Sequence, residues 1–281
     1  KRGGKRFIQQ TDLPAMKNIL DQIMEAKKKE VEEKKLLFDL NGHRSVSSNF
    51  DRACVSLKQR LLEPGSTGII AEFKRRSPSR GWFKEAGYPA PPTVMDYEKY
   101  GAAGASILTD TAFFGGELPD LAVVRTLCGL PLLRKDFIID EIQVMEAKAY
   151  GADVILLIAA SLSPARVREL GAAAKRLGME VLLEIHGEQE LEHICDEVDM
   201  VGINNRDLRT FRVDIERSVE LGKRIPPGKP RIAESGIDDV ATIRRFSDAG
   251  FEGFLIGERF MKEPDPGAAF AAFVNELKQQ A

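Results

Sequence analysis

Glu72 with Lys74, Lys135, Glu184, and Asn204 with Arg206 are residue types that move protons or hold anions, and each stands at the end of an apolar run. If Ile69-Ile70-Ala71-Glu72-Phe73-Lys74 is a strand, its side chains alternate faces, so Ile70, Glu72 and Lys74 share one face and Ile69, Ala71 and Phe73 the other. Like-facing residues two apart sit about 7 Å from one another. An acid and a base so placed tune each other's pKa and reach one small substrate. The pattern recurs in Leu133-Arg134-Lys135-Asp136-Phe137, where Lys135 is in phase with Leu133 and Phe137. It recurs again in Leu182-Leu183-Glu184, where Glu184 is in phase with Leu182, and in Gly202-Ile203-Asn204-Asn205-Arg206. Two lysines, two glutamates, an asparagine and an arginine at one point suit general acid–base catalysis.

Such a set needs a frame that brings distant strand ends together. From residue 69 onward the chain repeats a strand-then-helix unit eight times, with strands expected at 69–74, 105–109, 131–135, 154–158, 180–184, 200–204, 231–234 and 253–256. Amphipathic helix patterns lie between, at 141–150, 164–177, 189–195 and 240–249, and Gly101, Gly151, Gly178 and Gly250 punctuate helix ends. Eight parallel units in about 215 residues imply a closed (β/α)8 TIM barrel, with chemistry at the C-terminal strand ends. A doubly wound open sheet is the rival, but the glycine-rich dinucleotide turn expected after its first strand is missing. Strands seven and eight end in Ala233-Glu234-Ser235-Gly236-Ile237 and Leu255-Ile256-Gly257-Glu258-Arg259. There the backbone N–H groups of a barrel commonly hold a phosphate, here with Lys74 close by.

Residues 1–66 read as a tail and a helical extension packed on the barrel of residues 67–281, the whole forming one structural domain. Met16, Ile19, Leu20, Ile23, Met24 and Val31 recur at helical spacing from Pro14 onward, and Lys27-Lys28-Lys29 with Glu30, Glu32 and Glu33 is expected to be that helix's solvated face. A second helix is expected from Asn49 to Glu63, with Phe50, Leu57 and Leu61 inward. The basic start, Lys1 to Arg6, is expected to have no nucleic-acid role. Of the 281 residues 41 are basic and 43 acidic, and a net charge of −2 gives no bulk attraction to nucleic acid or an anionic membrane. No apolar run approaches the roughly 18 residues that span a bilayer, and a cytoplasmic protein is expected. Cys54, Cys128 and Cys195 are too few and too scattered for a disulfide framework or zinc site. Neither metal nor cofactor is expected, and the oligomeric state is left open, a monomer being one possibility. His43 and His193 read as surface residues, and His186 is given no role.

The chain resembles the indole-3-glycerol phosphate synthase family over residues 14–263. The resemblance rests on Ile70-Ala71-Glu72-Phe73-Lys74-Arg75-Arg76-Ser77-Pro78-Ser79, Leu108-Thr109-Asp110 with Phe113-Phe114-Gly115-Gly116, Leu133-Arg134-Lys135-Asp136-Phe137-Ile138, Glu184-Ile185-His186, Gly202-Ile203-Asn204-Asn205-Arg206-Asp207-Leu208 and Ala233-Glu234-Ser235-Gly236-Ile237. It implies a carbon–carbon lyase of tryptophan biosynthesis that closes 1-(2-carboxyphenylamino)-1-deoxyribulose 5-phosphate to an indole with loss of carbon dioxide and water. It also implies roles. Lys135 resembles the general acid and Glu184 the partner that stabilises the iminium and helps remove the hydroxyl, while Glu72, Lys74 and Asn204 share the remaining proton and hydrogen-bond work. The division of acid steps between Lys135 and Lys74 stays open. Arg206 with Ser77, Pro78 and Ser79 would face the substrate carboxylate. Phe114, Phe137 and Leu208 would wall the ring, and Lys74, Ser235, Gly236 and Gly257 would hold the phosphate, with Glu234 orienting these groups.

Three features depart from the family pattern: Glu258, where many members carry serine, Glu117 after Gly115-Gly116, and the proline-bearing loop from Trp82 to Pro92. A carboxylate at 258 would repel a phosphate unless turned away. The other readings of such a barrel are an isomerase of the same pathway, an aldolase using Lys74 or Lys135 as a Schiff-base amine, and a barrel that binds a phosphorylated ligand without turning it over.

Overall fold

The computed structural model describes residues 19–37, 48–207 and 212–279. Eight parallel strands close in chain order: β1 (Ile69–Phe73), β2 (Gly104–Leu108), β3 (Leu132–Lys135), β4 (Val154–Ile158), β5 (Glu180–Ile185), β6 (Met200–Asn204), β7 (Arg231–Glu234) and β8 (Gly253–Ile256), with β8 pairing back onto β1. The bounds of β4, β6, β7 and β8 are those read from the sequence, and the others differ by one residue at one or both ends. Parity sorts the side chains as expected. Ile70, Leu133, Leu156, Leu182, Met200, Ile232 and Leu255 fill the barrel, and Ile69, Ala71, Phe73, Ile107, Leu157 and Ile203 pack outward under the helices. Gly101, Gly151, Gly178 and Gly250 all have positive φ, the conformation that ends a helix without strain only at glycine.

The helices that carry the argument below are α1 (Ile19–Leu37), α2 (Leu57–Leu62), α3 (Thr111–Phe114), α4 (Leu118–Leu127), α5 (Glu141–Ala149), α6 (Ile215–Gly222) and α7 (Glu258–Met261). The expected helix over Asn49–Glu63 is shorter: Ser48–Phe50 is a 3-10 turn, and α2 starts only at Leu57. Its start is fixed from outside the segment. Ser56 caps Gln59 N at 3.0 Å, and the carboxylate of Glu180, the first residue of β5, accepts from Leu57 N at 2.8 Å and Lys58 N at 3.1 Å. Leu57 and Leu61 then plug the N-terminal end of the barrel, while Phe50 is only half-buried. The helix expected over Gln189–Cys195 is a 3-10 segment, Glu188–His193. His193 is buried rather than at the surface, its ring nitrogens 3.1 Å from Glu190 O and 2.9 Å from Leu162 O. His43 and the part of the first expected helix before Ile19 lie outside the described residues. Among the described residues no helix is long and apolar enough to cross a membrane.

Candidate active site

The inward side chains at the C-terminal strand ends meet in a cavity of about 330 Å³. Lys135 Nζ, at the end of β3, lies 3.1 Å from Glu184 Oε2 and 3.5 Å from Glu234 Oε2. Asn204 donates from Nδ2 to Glu184 Oε1 at 3.0 Å, and its own Oδ1 accepts from Arg206 N at 3.0 Å, so its amide is fixed at both ends. Across the mouth Lys74 Nζ is 2.6 Å from Glu72 Oε1. Two close approaches need glycine: a Cβ at Gly202 would meet Glu234 Oε1 at 2.0 Å, and one at Gly257 would meet Glu72 Oε1 at 2.5 Å. Small residues at these points let the carboxylates lie against the barrel wall.

Burial and charge set Glu184 and Glu234 apart. Burial alone would raise the pKa of Glu184, but Lys135, His186 and the hydrogen bonds from Asn204 and Lys135 outweigh it and hold the carboxyl well below its usual range. Burial pushes Glu234 up to about 8, with the neighbouring Glu184 and Glu72 adding to it against the pull of Lys135. Burial also disfavours charge on Lys135, yet three surrounding carboxylates raise its pKa above that of a free lysine. At neutral pH the site therefore carries a Lys135 ammonium beside a Glu184 carboxylate, and Glu234 holds a proton more readily than Glu184 does.

One wall of the cavity is apolar: the rings of Phe114 and Phe137 have centroids 6.1 Å apart, with Leu20 and Ile23 of α1 completing the lining. The opposite end holds Ser235, Gly236 and Gly257. Ser235 and Gly236 have φ of 70° and 69°, and a non-glycine residue in the left-handed region is a form of strain that gathers at functional sites. Asn205 Nδ2 holds this turn by donating to Ser235 O at 2.7 Å. Ser77, Pro78 and Ser79 line the mouth after β1. That loop is anchored by the buried Arg75, which bonds Asp120 at 2.6 and 3.0 Å and the carbonyls of Tyr88 and Gly115. Glu258, at the start of α7, gives its carboxylate to Arg80 at 3.0 Å and Arg206 at 3.4 Å, so its charge is met by two guanidinium groups. Glu117 is exposed at the start of α4. Every site residue read from the sequence lines this one cavity except Leu208, which lies outside the described residues.

The reading of Lys27 as part of a solvated face is overturned. It is 1% exposed, and its ammonium lies 2.9 Å from Asp136, 3.0 Å from Asp110 and 2.7 Å from Glu30. Asp136 follows Lys135 directly and also receives Thr109 at 2.7 Å and Arg134 at 3.0 Å, while Asp110 caps α3, the helix bearing Phe114. Arg134 continues to Glu146 of α5, which in turn meets Lys34 of α1. A buried charge network thus bolts α1 to the outside of β3, behind the lysine. The signal was in the spacing: Lys27 stands four residues from both Ile23 and Val31, on the helix's buried stripe. Lys27→Met would leave Asp110 without its ammonium in a dry site, and we expect a loss of about 3 kcal/mol of stability. Urea unfolding measures it, and a change under about 0.5 kcal/mol, the range of an ordinary surface substitution, would show that the ammonium is not needed there.

With this geometry in place, relatives become informative. The family model described as indole-3-glycerol phosphate synthase matches residues 20–273. An indole-3-glycerol phosphate synthase of Bacteroides thetaiotaomicron is 46% identical over 263 residues, covering 94% of this chain and all of that protein. One from Polynucleobacter asymbioticus is 39% identical over 264 residues, covering 91% and 98%. Among solved structures, 3-hexulose-6-phosphate synthase superposes with a TM-score of 0.59 at 16% identity, covering 76% of this chain and 99% of that one, a likeness of fold alone. Identity of this order over nearly the full length of both proteins, with a family model matching most of the chain, places this chain in the indole-3-glycerol phosphate synthase family.

Proposed function

We propose that the cavity carries out the family's ring closure with Lys135 as general acid and Glu184 as its counter-charge. The observation that carries this reading is the contact of Lys135 Nζ with Glu184 Oε2 at 3.1 Å, set between an aromatic wall and a strained glycine turn. In 1-(2-carboxyphenylamino)-1-deoxyribulose 5-phosphate the ring carbon bearing the carboxylate attacks the ketose carbonyl carbon. Lys135 delivers a proton to the carbonyl oxygen as that bond forms. Loss of carbon dioxide restores the ring, and the hydroxyl leaves as water through an iminium that Glu184 faces and then deprotonates. Lys74, paired with Glu72 at 2.6 Å, stands ready as a second proton source on the far side of the cavity. Asn204 holds Glu184 in place, and Glu234 holds Lys135.

In the same proposal the phosphate occupies the Ser235–Gly236 and Gly257 turns with Lys74, the aromatic ring lies against the wall of Phe114 and Phe137, and the carboxylate is met from the side of Arg206 and Ser77–Ser79. The extension before residue 67 belongs to the same domain, supported by the buried charges that join α1 to β3. A cytoplasmic site of action goes with three free cysteines. Inorganic phosphate or sulfate should then raise the apparent KM without lowering kcat, and at ten times its Kd it should stabilise the fold by about 1.4 kcal/mol. Inhibition that lowers kcat alone would put the phosphate elsewhere.

A further inference from the structure

Glu184 has a second titratable neighbour that the reaction above does not use. His186, the first residue past β5, points the same way as Glu184, with Nε2 3.4 Å from Glu184 Oε1 and Nδ1 3.7 Å from Glu190 Oε2. Its main-chain N–H also reaches Glu190 Oε2, at 2.5 Å. Both ring nitrogens are buried, and neither makes a hydrogen bond, so the two carboxylates stand at ion-pair distance only. A neutral imidazole has one N–H and one lone pair, so between two carboxylates it would always turn the lone pair towards an anion. Only the imidazolium offers an N–H to each.

We infer that His186 is a positioning residue for the family's reaction: an imidazolium that keeps Glu184 ionised after Lys135 has given up its proton. The inference rests on the proposed role of Lys135. Glu184 is held as an anion by two cations, and protonation of the ketose oxygen removes one of them before the hydroxyl leaves through the iminium. The other must then carry the anion alone. His186 does not face the substrate, so it is not consumed. It looks instead onto a side cavity that Asp21 of α1, Asp207 after β6, and Arg217, Glu220 and Arg224 from α6 and beyond also line. Burial and the charge of Arg217 lower the proton affinity of His186. The carboxylates of Glu190 and Glu184 beside the ring raise it, and the net shift is upward. A raised value means that the ring keeps its proton to a higher pH than a free imidazole and loses it only as the pH rises through the shifted value, the direction that the two flanking carboxylates require.

Two measurements on the full chain test this. In the unsubstituted protein with 15N-labelled histidine, the His186 ring should titrate above an ordinary histidine, and kcat should fall on the basic side as that proton leaves. His186→Gln should lower the plateau of kcat by about tenfold, the equivalent of one pKa unit on Glu184, remove the basic limb, and leave KM within about twofold. A His186 ring that is neutral at pH 7, or a glutamine variant whose kcat–pH profile matches the parent, would overturn the inference while leaving the Lys135 mechanism standing. A parent protein that forms no indole product would overturn both.

Discussion

Lys135→Ala is expected to lower turnover by about two to four orders of magnitude, the usual contribution of a positioned general acid, while substrate still binds. The ammonium sits at the end of β3 with carboxylates at 3.1 and 3.5 Å, so alanine removes the proton source and leaves Glu184 and Glu234 facing a gap. Methionine keeps the length without the proton and should fare no better. Steady-state kinetics on the folded variant decide the matter, and turnover within tenfold of the parent would take Lys135 out of the mechanism.

Glu184→Gln should depress kcat far more than it changes KM, because the amide keeps the shape and the bond from Asn204 but carries no charge for the iminium and accepts no proton. The sign of the pH dependence follows from the shift. Glu184 is held below its ordinary value, so it is ionised throughout the neutral range and contributes no acid limb at about pH 6 to 9. A rise in KM with kcat preserved would assign Glu184 to substrate positioning and hand the proton work to Glu72 or Lys74.

The frame of this site could be read from the chain because a strand period of two is a strong signal. Wherever a strand is buried on both faces, a single polar residue such as Glu184 among Val181, Leu182 and Leu183 stands out, and its parity says where it points. The same rule was available for Arg134, one residue out of phase with Lys135 and so facing outward under the helices, where a charge has to be paired. Lys27 was missed because a run of three lysines looks like solvent, and only its phase with Ile23 and Val31 says otherwise. The start of α2 could not be read locally, since the group that fixes it, Glu180, is 123 residues away from Leu57. Nor could the fate of Glu258. A carboxylate beside an anion site looks repulsive in one dimension, and the arginines that meet it, Arg80 and Arg206, come from the loops after β1 and β6.

The central claim is that this cavity closes an indole ring, and the direct measurement is the ultraviolet spectrum of the purified chain mixed with 1-(2-carboxyphenylamino)-1-deoxyribulose 5-phosphate. Indole absorbance should grow with release of one carbon dioxide per product, and in Lys135→Ala the growth should slow by about two to four orders of magnitude. An unchanged spectrum from the folded parent, or indole formed at an equal rate by Lys135→Ala, would contradict the account.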